Sequence, residues 1–472
     1  MRRPTAIPAA LLGALALFAA GCGGDPRPDV LLITVDTLRA DYLGSMGYPR
    51  PTSPNMDCLA SQGLLFERHY STSSQTGPSH ASIFSGLMPS EHGLVKNGTA
   101  VPADIPWLAD EFSAGGWSTG AVVGALVVGK RFGYDRGFDF FDDDMRSGRP
   151  RDPRDTGARE VFERDASRVV DVASAWLAGA GSAPVFLWVH VFDPHEPYSP
   201  PEPAPLSAAG AEGFFRTRAE PSRLFDVDQL VPLLAGYEAE VSYTDVHIGR
   251  LVAAFDARDR DSVVILTSDH GEGLGEHAYQ GHHFYLYEEQ VHVPLVVRGR
   301  GAPARRLPAG TRVAALTSAT ELAEALREWA NIPSRGGRTT LPARALDPRP
   351  DPAARALLER AHLSSFDLEI ARPLQRILEH LDGQSGGARG LLRGLVAPDY
   401  KYMESDDVAP EFYDLDRDPA EARNLANGAE TARVAAAAAE LANARGALAT
   451  RTSAPSGDTD PEVRRMLDAL GY

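Results

Sequence analysis

Asp29-Val30-Leu31-Leu32-Ile33-Thr34-Val35-Asp36 reads as a strand buried on both faces, because its apolar residues run together instead of alternating with polar ones. Such strands lie inside parallel sheets covered by helices. Asp36 closes the run, and open α/β sheets carry their ligands at the carboxyl ends of the strands. Working outward, two more buried runs end in residues able to do chemistry. The run 184–191 delivers His190-Val191-Phe192-Asp193-Pro194-His195, and 262–267 delivers Ser268-Asp269-His270-Gly271-Glu272. Further strands read at 118–123 and 291–297, with helical patterns at 106–115, 161–177, 233–255 and 319–329. The fold class is α/β.

A second stretch, Gln75-Thr76-Gly77-Pro78-Ser79-His80-Ala81-Ser82-Ile83-Phe84-Ser85-Gly86, follows a strand-like run at 64–70. Pro78 and Ser79 suit the first turn of a helix, and Gly86 suits its end. Thr76 is expected just before the helix N-terminus, where free N–H groups and the dipole seat a tetrahedral oxyanion. A hydroxyl there is either a nucleophile, if its pKa is lowered, or a plain N-cap.

The chain has 472 residues, enough for one large domain and a smaller one. Its net charge is −17, from 47 basic and 64 acidic residues, which argues against nucleic acid as a partner. Eight of the 13 histidines lie between 190 and 292, and all of these but His247 sit on or near expected strand ends. Adjacent Asp269 and His270 can present an oxygen and an imidazole to one cation.

Met1-Arg2-Arg3, an apolar run at 6–20 and the small residues after it make a secretory signal, too short for a membrane span. Ala19-Ala20-Gly21-Cys22 resembles a bacterial lipobox, so 1–22 reads as a lipoprotein signal peptide and 23–28 as a tether. An ordinary signal peptide with a chance cysteine is the other reading. Gly23 after the cysteine favours the outer membrane, with the lipid-anchored protein in the cell envelope facing the periplasm or the surface. Cys58 is the one other cysteine, so no disulfide is expected, and Cys58 is expected to pack as a small apolar residue.

On these residues the chain resembles the sulfatase family of the alkaline-phosphatase superfamily. That family's signature is a nucleophile, any residue, Pro, Ser and usually Arg, then a short helix ending in Gly. Thr76 stands at the nucleophile position and His80 at the Arg position. Thr37-Leu38-Arg39-Ala40-Asp41-Tyr42-Leu43-Gly44, Leu87-Met88-Pro89-Ser90-Glu91-His92-Gly93 and Gly137-Phe138-Asp139 also match. Tyr400-Lys401-Tyr402-Met403, Glu411-Phe412-Tyr413-Asp414-Leu415 and the helix-capping run 418–425 match its small C-terminal subdomain. The resemblance implies a three-layer α/β/α sandwich with a mostly parallel mixed sheet over 29–335. It implies a C-terminal α+β subdomain of short antiparallel strands and helices over 336–472. The chain departs from the family in two more places. Asp36-Thr37 replaces a pair of acids, and Gly124-Ala125-Leu126-Val127 replaces a Gly-Lys-Trp-His run whose Lys and His touch the sulfate.

Residues and resemblance together imply one divalent cation (Ca, Mg, Mn or Zn) held by Asp36, Asp269 and His270, with Thr76 as a further ligand. Asp193 with the His cluster leaves a second metal site open. Thr76 would attack phosphorus or sulfur in line, and His190, His195, His282 and His283 would hold the oxygens or protonate the leaving group. Sulfatases of this family use formylglycine made from Cys or Ser, whereas the extra methyl of Thr would yield a ketone. A Thr nucleophile therefore resembles the family's phosphodiesterases and phospho-group transferases. The expectation is a hydrolase of phosphate or sulfate esters acting through a covalent intermediate on an anionic substrate. A transferase of phospho-headgroups to lipid or glycan, and a catalytically inactive binding lipoprotein, are the alternatives. The intact set Asp36, Thr76, Asp269 and His270 argues against the last.

Overall fold

One sheet of eight strands organises residues 29–318. In chain order the strands are β1 (Asp29–Val35), β2 (Leu64–Tyr70), β3 (Ser118–Val123), β4 (Phe140–Asp142), β5 (Val185–Val191) and β6 (Ser262–Ser268). A small ribbon, β7 (Gly273–Leu274) with β8 (Gln280–Gly281), leaves the sheet before β9 (His292–Arg300) and β10 (Thr311–Ser318) complete it. The spatial order is β10-β2-β9-β6-β1-β5-β3-β4. Only β9 runs antiparallel to its neighbours, β2 and β6. The computed structural model describes residues 25–145, 164–201, 205–206, 213–216, 226–335, 341, 353–360 and 390–451.

β1 is central, and all seven of its residues are buried. Val30 and Leu32 pack on one side with Phe84 and Trp188, while Leu31, Ile33 and Val35 pack on the other with Tyr237 and Leu251. Burying each such side chain contributes about 1.5–3 kcal/mol. The helices Thr76–Ser85, Leu108–Ala114 and Leu322–Trp329 cover the first side, and Pro54–Ser61, Ala166–Gly179 and Val227–Asp256 cover the second. This is the three-layer sandwich the resemblance implies.

A second sheet, antiparallel in the order β11 (Ala356–Arg360), β12 (Leu392–Val396), β13 (Tyr400–Ser405), β14 (Glu411–Asp414), forms the C-terminal subdomain with the helix Thr431–Gly446. It shares a core with the first domain, since Leu358, Met403 and Tyr413 pack with Tyr70, Tyr287 and Leu316.

Several expectations are corrected. Thr76 is the first helical residue, and Gln75, in extended conformation, is the N-cap without a side-chain cap bond. Cys58 is exposed, because it lies on the outer face of the Pro54–Ser61 helix. The run 418–425 caps no helix. The Asp418 carboxylate instead accepts the N–H groups of Ala422 and Arg423 at 3.0 and 2.8 Å within a turn. The helix expected at 233–255 starts earlier, at Val227, where Asp226 and Gln229 form a capping box. The signal peptide and Cys22 lie outside the described residues, as does most of the loop expected at 334–352. Among the described residues, no helix is long and apolar enough to cross a membrane.

Candidate active site

The site follows from strand register. β1 and β6 run parallel with Val35 opposite Ser268, so Asp36 and Asp269-His270 leave the sheet side by side. β5, on the other flank of β1, puts His190 opposite Thr34. The helix Thr76–Ser85 packs over this edge and lowers Thr76 and His80 onto it. Asp36, Thr76, His80, His190, Asp269 and His270 are all fully buried.

Nε2 of His270 lies 3.6 Å from Asp36 Oδ1, 3.5 Å from Asp269 Oδ2 and 3.2 Å from Thr76 Oγ1. Nδ1 of the same ring lies 3.0 Å from the Gly271 carbonyl, which can only accept. Nδ1 therefore carries a proton, and Nε2 is the ring nitrogen that faces the two acids. Asp269 Oδ1 accepts the His270 N–H at 2.9 Å, while Oδ2 is buried without a hydrogen bond. Burial, and then the neighbouring Asp36, raise the Asp269 carboxyl above its ordinary value. Two buried acids in contact ask for a positive charge between them. Ligand atoms of Asp36, Asp269 and His270 all lie within 4.8 Å of one another, so the residues fit a divalent cation.

A hydrogen-bond chain behind these ligands points the same way. His80 Nδ1 donates to the Thr76 carbonyl at 2.8 Å. Burial, with His190 beside it, lowers the His80 pKa to about 3, so the ring is neutral and its Nε2 accepts from Thr34 Oγ1 at 3.0 Å. The Thr34 oxygen in turn accepts from Trp188 Nε1 at 3.0 Å and from His190 Nδ1 at 3.2 Å. Burial lowers His190 to about 4, which leaves a lone pair on its Nε2, 3.4 Å from Asp36 Oδ2. A lone pair facing a carboxylate is repulsive until a cation or a proton comes between them.

The remaining histidines cluster beside the same residues. His282 packs against His270 with ring centroids 4.6 Å apart, against His195 at 4.7 Å and against His283 at 4.3 Å. Its Nδ1 lies 2.9 Å from Glu272 Oε1. His195 Nδ1 donates to the Glu196 carbonyl at 2.6 Å. His283 Nδ1 donates to the His282 carbonyl at 2.9 Å, and its Nε2 lies 3.5 Å from the Asn97 amide nitrogen. Every site residue named from the sequence thus touches another one.

Two expectations change. The helix N-terminus offers fewer free donors than its position implied, because Gly77 N–H is taken by Asn97 Oδ1 at 2.7 Å and Ser79 N–H by the Gln75 carbonyl at 3.1 Å. Among the described residues Asp193 belongs to no cluster able to hold a metal ion, and its Oδ2 accepts the Ala166 N–H at 2.9 Å. Among the described residues, the one group able to hold a metal ion is Asp36, Asp269 and His270. Sequence reasoning missed Thr34, His80, Asn97 and Glu272 as parts of the site. A polar residue inside the apolar run of β1 was the available signal for Thr34. Nothing in the sequence marked Asn97. The stretch that replaces the family's Lys and His is part of the apolar core, where Ala125 and Val127 are buried with Phe84 and Trp188.

A sandwich whose central strands end in a buried acid pair and an imidazole, with a helix-borne hydroxyl beside them, is an arrangement suited to metal-dependent ester hydrolysis. The sequence model of the family described as Sulfatase matches residues 28–332, and the chain belongs to that family. Over 85% of its length it is 25% identical to a multifunctional alkaline phosphatase superfamily protein of Trinickia caryophylli, covering 91% of that protein. It is 22% identical to a Δ4,5-hexuronate-2-O-sulfatase of Bacteroides thetaiotaomicron, covering 89% of each chain. The phosphonate monoester hydrolase of Agrobacterium radiobacter shares the fold, with a TM-score of 0.66 and 23% identity over 89% of this chain and 96% of that one.

Proposed function

We propose that this sulfatase-family protein hydrolyses phosphate or sulfate esters with Thr76 as nucleophile, and that its chemistry is of the phosphodiesterase type. The observation that carries the reading is the position of Thr76 Oγ1, 3.2 Å from the His270 nitrogen that faces both acids. A divalent cation, when bound by Asp36, Asp269 and His270, would lower the pKa of a hydroxyl and neutralise charge on ester oxygens. Thr76 is fixed by the first turn of a buried helix, so its hydroxyl meets the ester with little freedom left to lose. Burial, and then Glu196, raise the Glu272 carboxyl well above its ordinary value. His282 Nδ1 rests 2.9 Å from this carboxyl, so Nε2 is the nitrogen left to face the ester, where it can hold an oxygen or protonate the departing one. His190 faces the same space from the opposite flank, with Nε2 3.4 Å from Asp36 Oδ2.

The phosphoester preference rests on the Thr nucleophile and on the apolar stretch in place of sulfate-contacting Lys and His. Hydrolysis rates on matched aryl sulfate, phosphate monoester and phosphodiester substrates test it. The diester should be turned over fastest, and an aryl sulfate preferred over both would overturn it. Product analysis with an added alcohol separates hydrolysis from transfer.

We also propose that Cys22 carries a lipid that holds the enzyme in the bacterial envelope, on the outer membrane. The support is Ala19-Ala20-Gly21-Cys22 followed by Gly23.

A further inference from the structure

The loop that bears the site's histidines does not hold its course alone. Gly271 N–H donates to the Gln290 carbonyl at 2.8 Å and Glu272 N–H to the Glu289 carbonyl at 2.9 Å, so residues 289–290 back the segment that follows His270. Gly271 has to be glycine, because a side chain there would run into the Glu289 carbonyl. Residues 288–289 are gripped in turn by the C-terminal subdomain. Glu421 Oε2 accepts the Glu288 N–H at 2.7 Å. Lys401, fully buried, places Nζ 3.2 Å from Glu288 Oε1 and 3.1 Å from Glu421 Oε1. Tyr70 OH donates to the other Glu288 oxygen at 3.0 Å.

His277, at the tip of the same loop, joins both sides. Its Nδ1 lies 3.0 Å from Glu289 Oε1, and its Nε2 lies 3.2 Å from the Glu421 carbonyl. A carbonyl and a carboxylate both accept, so both ring nitrogens donate and the ring is an imidazolium. The ring stacks on Tyr287 with centroids 3.7 Å apart. Besides Glu289 and Glu421, the charged groups around it are Glu288 and Lys401 behind, and Glu276 paired with Arg39 at 2.8 Å in front.

We propose that the C-terminal subdomain is a working part of the catalytic centre: Lys401, Glu421 and His277 latch residues 271–290 in the course that places Glu272 and His282. Lys401, Glu421 and His277 are positioning residues, since none touches the cation ligands or the ester, and their effect on turnover rests on the function proposed above. Burial opposes the charge on His277, but Glu289 and then Glu421 outweigh it and raise the pKa from 6.5 to about 9. The part of the hold that His277 supplies is therefore complete below pH 6.5 and is released as pH rises through about 9, while burial raises the Glu421 carboxyl to about 7, so its pairing with Lys401 is charged above that value.

The test uses the full chain with bis(para-nitrophenyl) phosphate and hydrogen exchange of 271–290. Wild type should lose kcat, with KM little changed, on an alkaline limb near pH 9 that coincides with loss of exchange protection in 271–290. The β1, β5 and β6 amides should stay protected. His277→Gln should lower kcat at neutral pH by roughly tenfold and lack the alkaline limb, because a carboxamide cannot titrate. Thr76→Ala should keep wild-type protection although it cannot turn over. Exchange protection of 271–290 that is equal at pH 7 and above pH 9 in wild type overturns the latch, and so does a His277→Gln enzyme with wild-type kcat and limb. If wild type leaves the diester untouched, the proposed function falls, and the exchange of wild type against pH still decides the latch.

Discussion

Asp36, Asp269 and His270 are three residues from two strand ends, and each supplies one atom to a space less than 5 Å across. With so few ligands, none is dispensable. Asp269→Ala or His270→Ala should weaken divalent-cation binding by more than ~100-fold and remove activity with it. Calorimetric titration with each cation checks this, and metal affinity at the wild-type level in both variants would refute the site. This cluster was legible in the sequence because buried strands ending in Asp or Asp-His announce themselves. Thr34 and His80 were not read as partners, although both were in view, because their roles depend on which strand faces which helix. Asn97 acts from a loop 20 residues beyond Gly77, and no pattern connects the two.

At the scale of elements, the helix Thr76–Ser85 matters most, since it carries both Thr76 and His80. It stops at Gly86, whose φ of 76° is left-handed and whose N–H bonds to the Ser82 carbonyl at 2.9 Å. Gly86→Ala should cost about 1–2 kcal/mol, because an L side chain resists that conformation. A drop in thermal midpoint with unchanged kcat is the expected result, and no drop would contradict the helix stop. Both ends of this helix were visible as Pro78 near the start and Gly86 at the end. β10 was not foreseen. It pairs only with β2 and shifts register between Val313 and Leu316, so its residues show no clean period. The helix expected around 418–425 failed for a related reason. Asp418 followed by Pro419 looks like a helix start, but the carboxylate closes a turn on Ala422 and Arg423 instead.

For the whole molecule, buried neutral histidines outside the site set the acid limit. Burial holds His69 and His92 at about 3. The unfolded chain protonates them near 6.5, so their contribution to stability is lost as pH falls from 6.5 toward about 3. Unfolding midpoints in denaturant should decline over that window, and less steeply for a His92→Gln variant. A midpoint flat from pH 6.5 to 4 would contradict the burial of these rings. The small C-terminal antiparallel sheet was legible from its motifs, whereas the core of Tyr70, Tyr287, Met403 and Tyr413 that it shares with the large sheet was not, because its members lie far apart in sequence. The proposed anchor belongs to the scale of the whole molecule too. Mass spectrometry of protein from bacterial membranes should find an acylated Cys22 at the mature N-terminus, and an unmodified N-terminus elsewhere would end that proposal.

The central claim is that Thr76 forms a covalent bond to the ester's phosphorus or sulfur. Wild-type enzyme quenched in acid during turnover of the diester, then digested and weighed, tests this most directly. The peptide containing Thr76 should carry the retained ester group, and the same peptide from Thr76→Ala should carry none and its enzyme should turn over roughly a thousandfold more slowly or worse. An unmodified Thr76 peptide, with Thr76→Ala hydrolysing the diester at near the wild-type rate, would contradict the account.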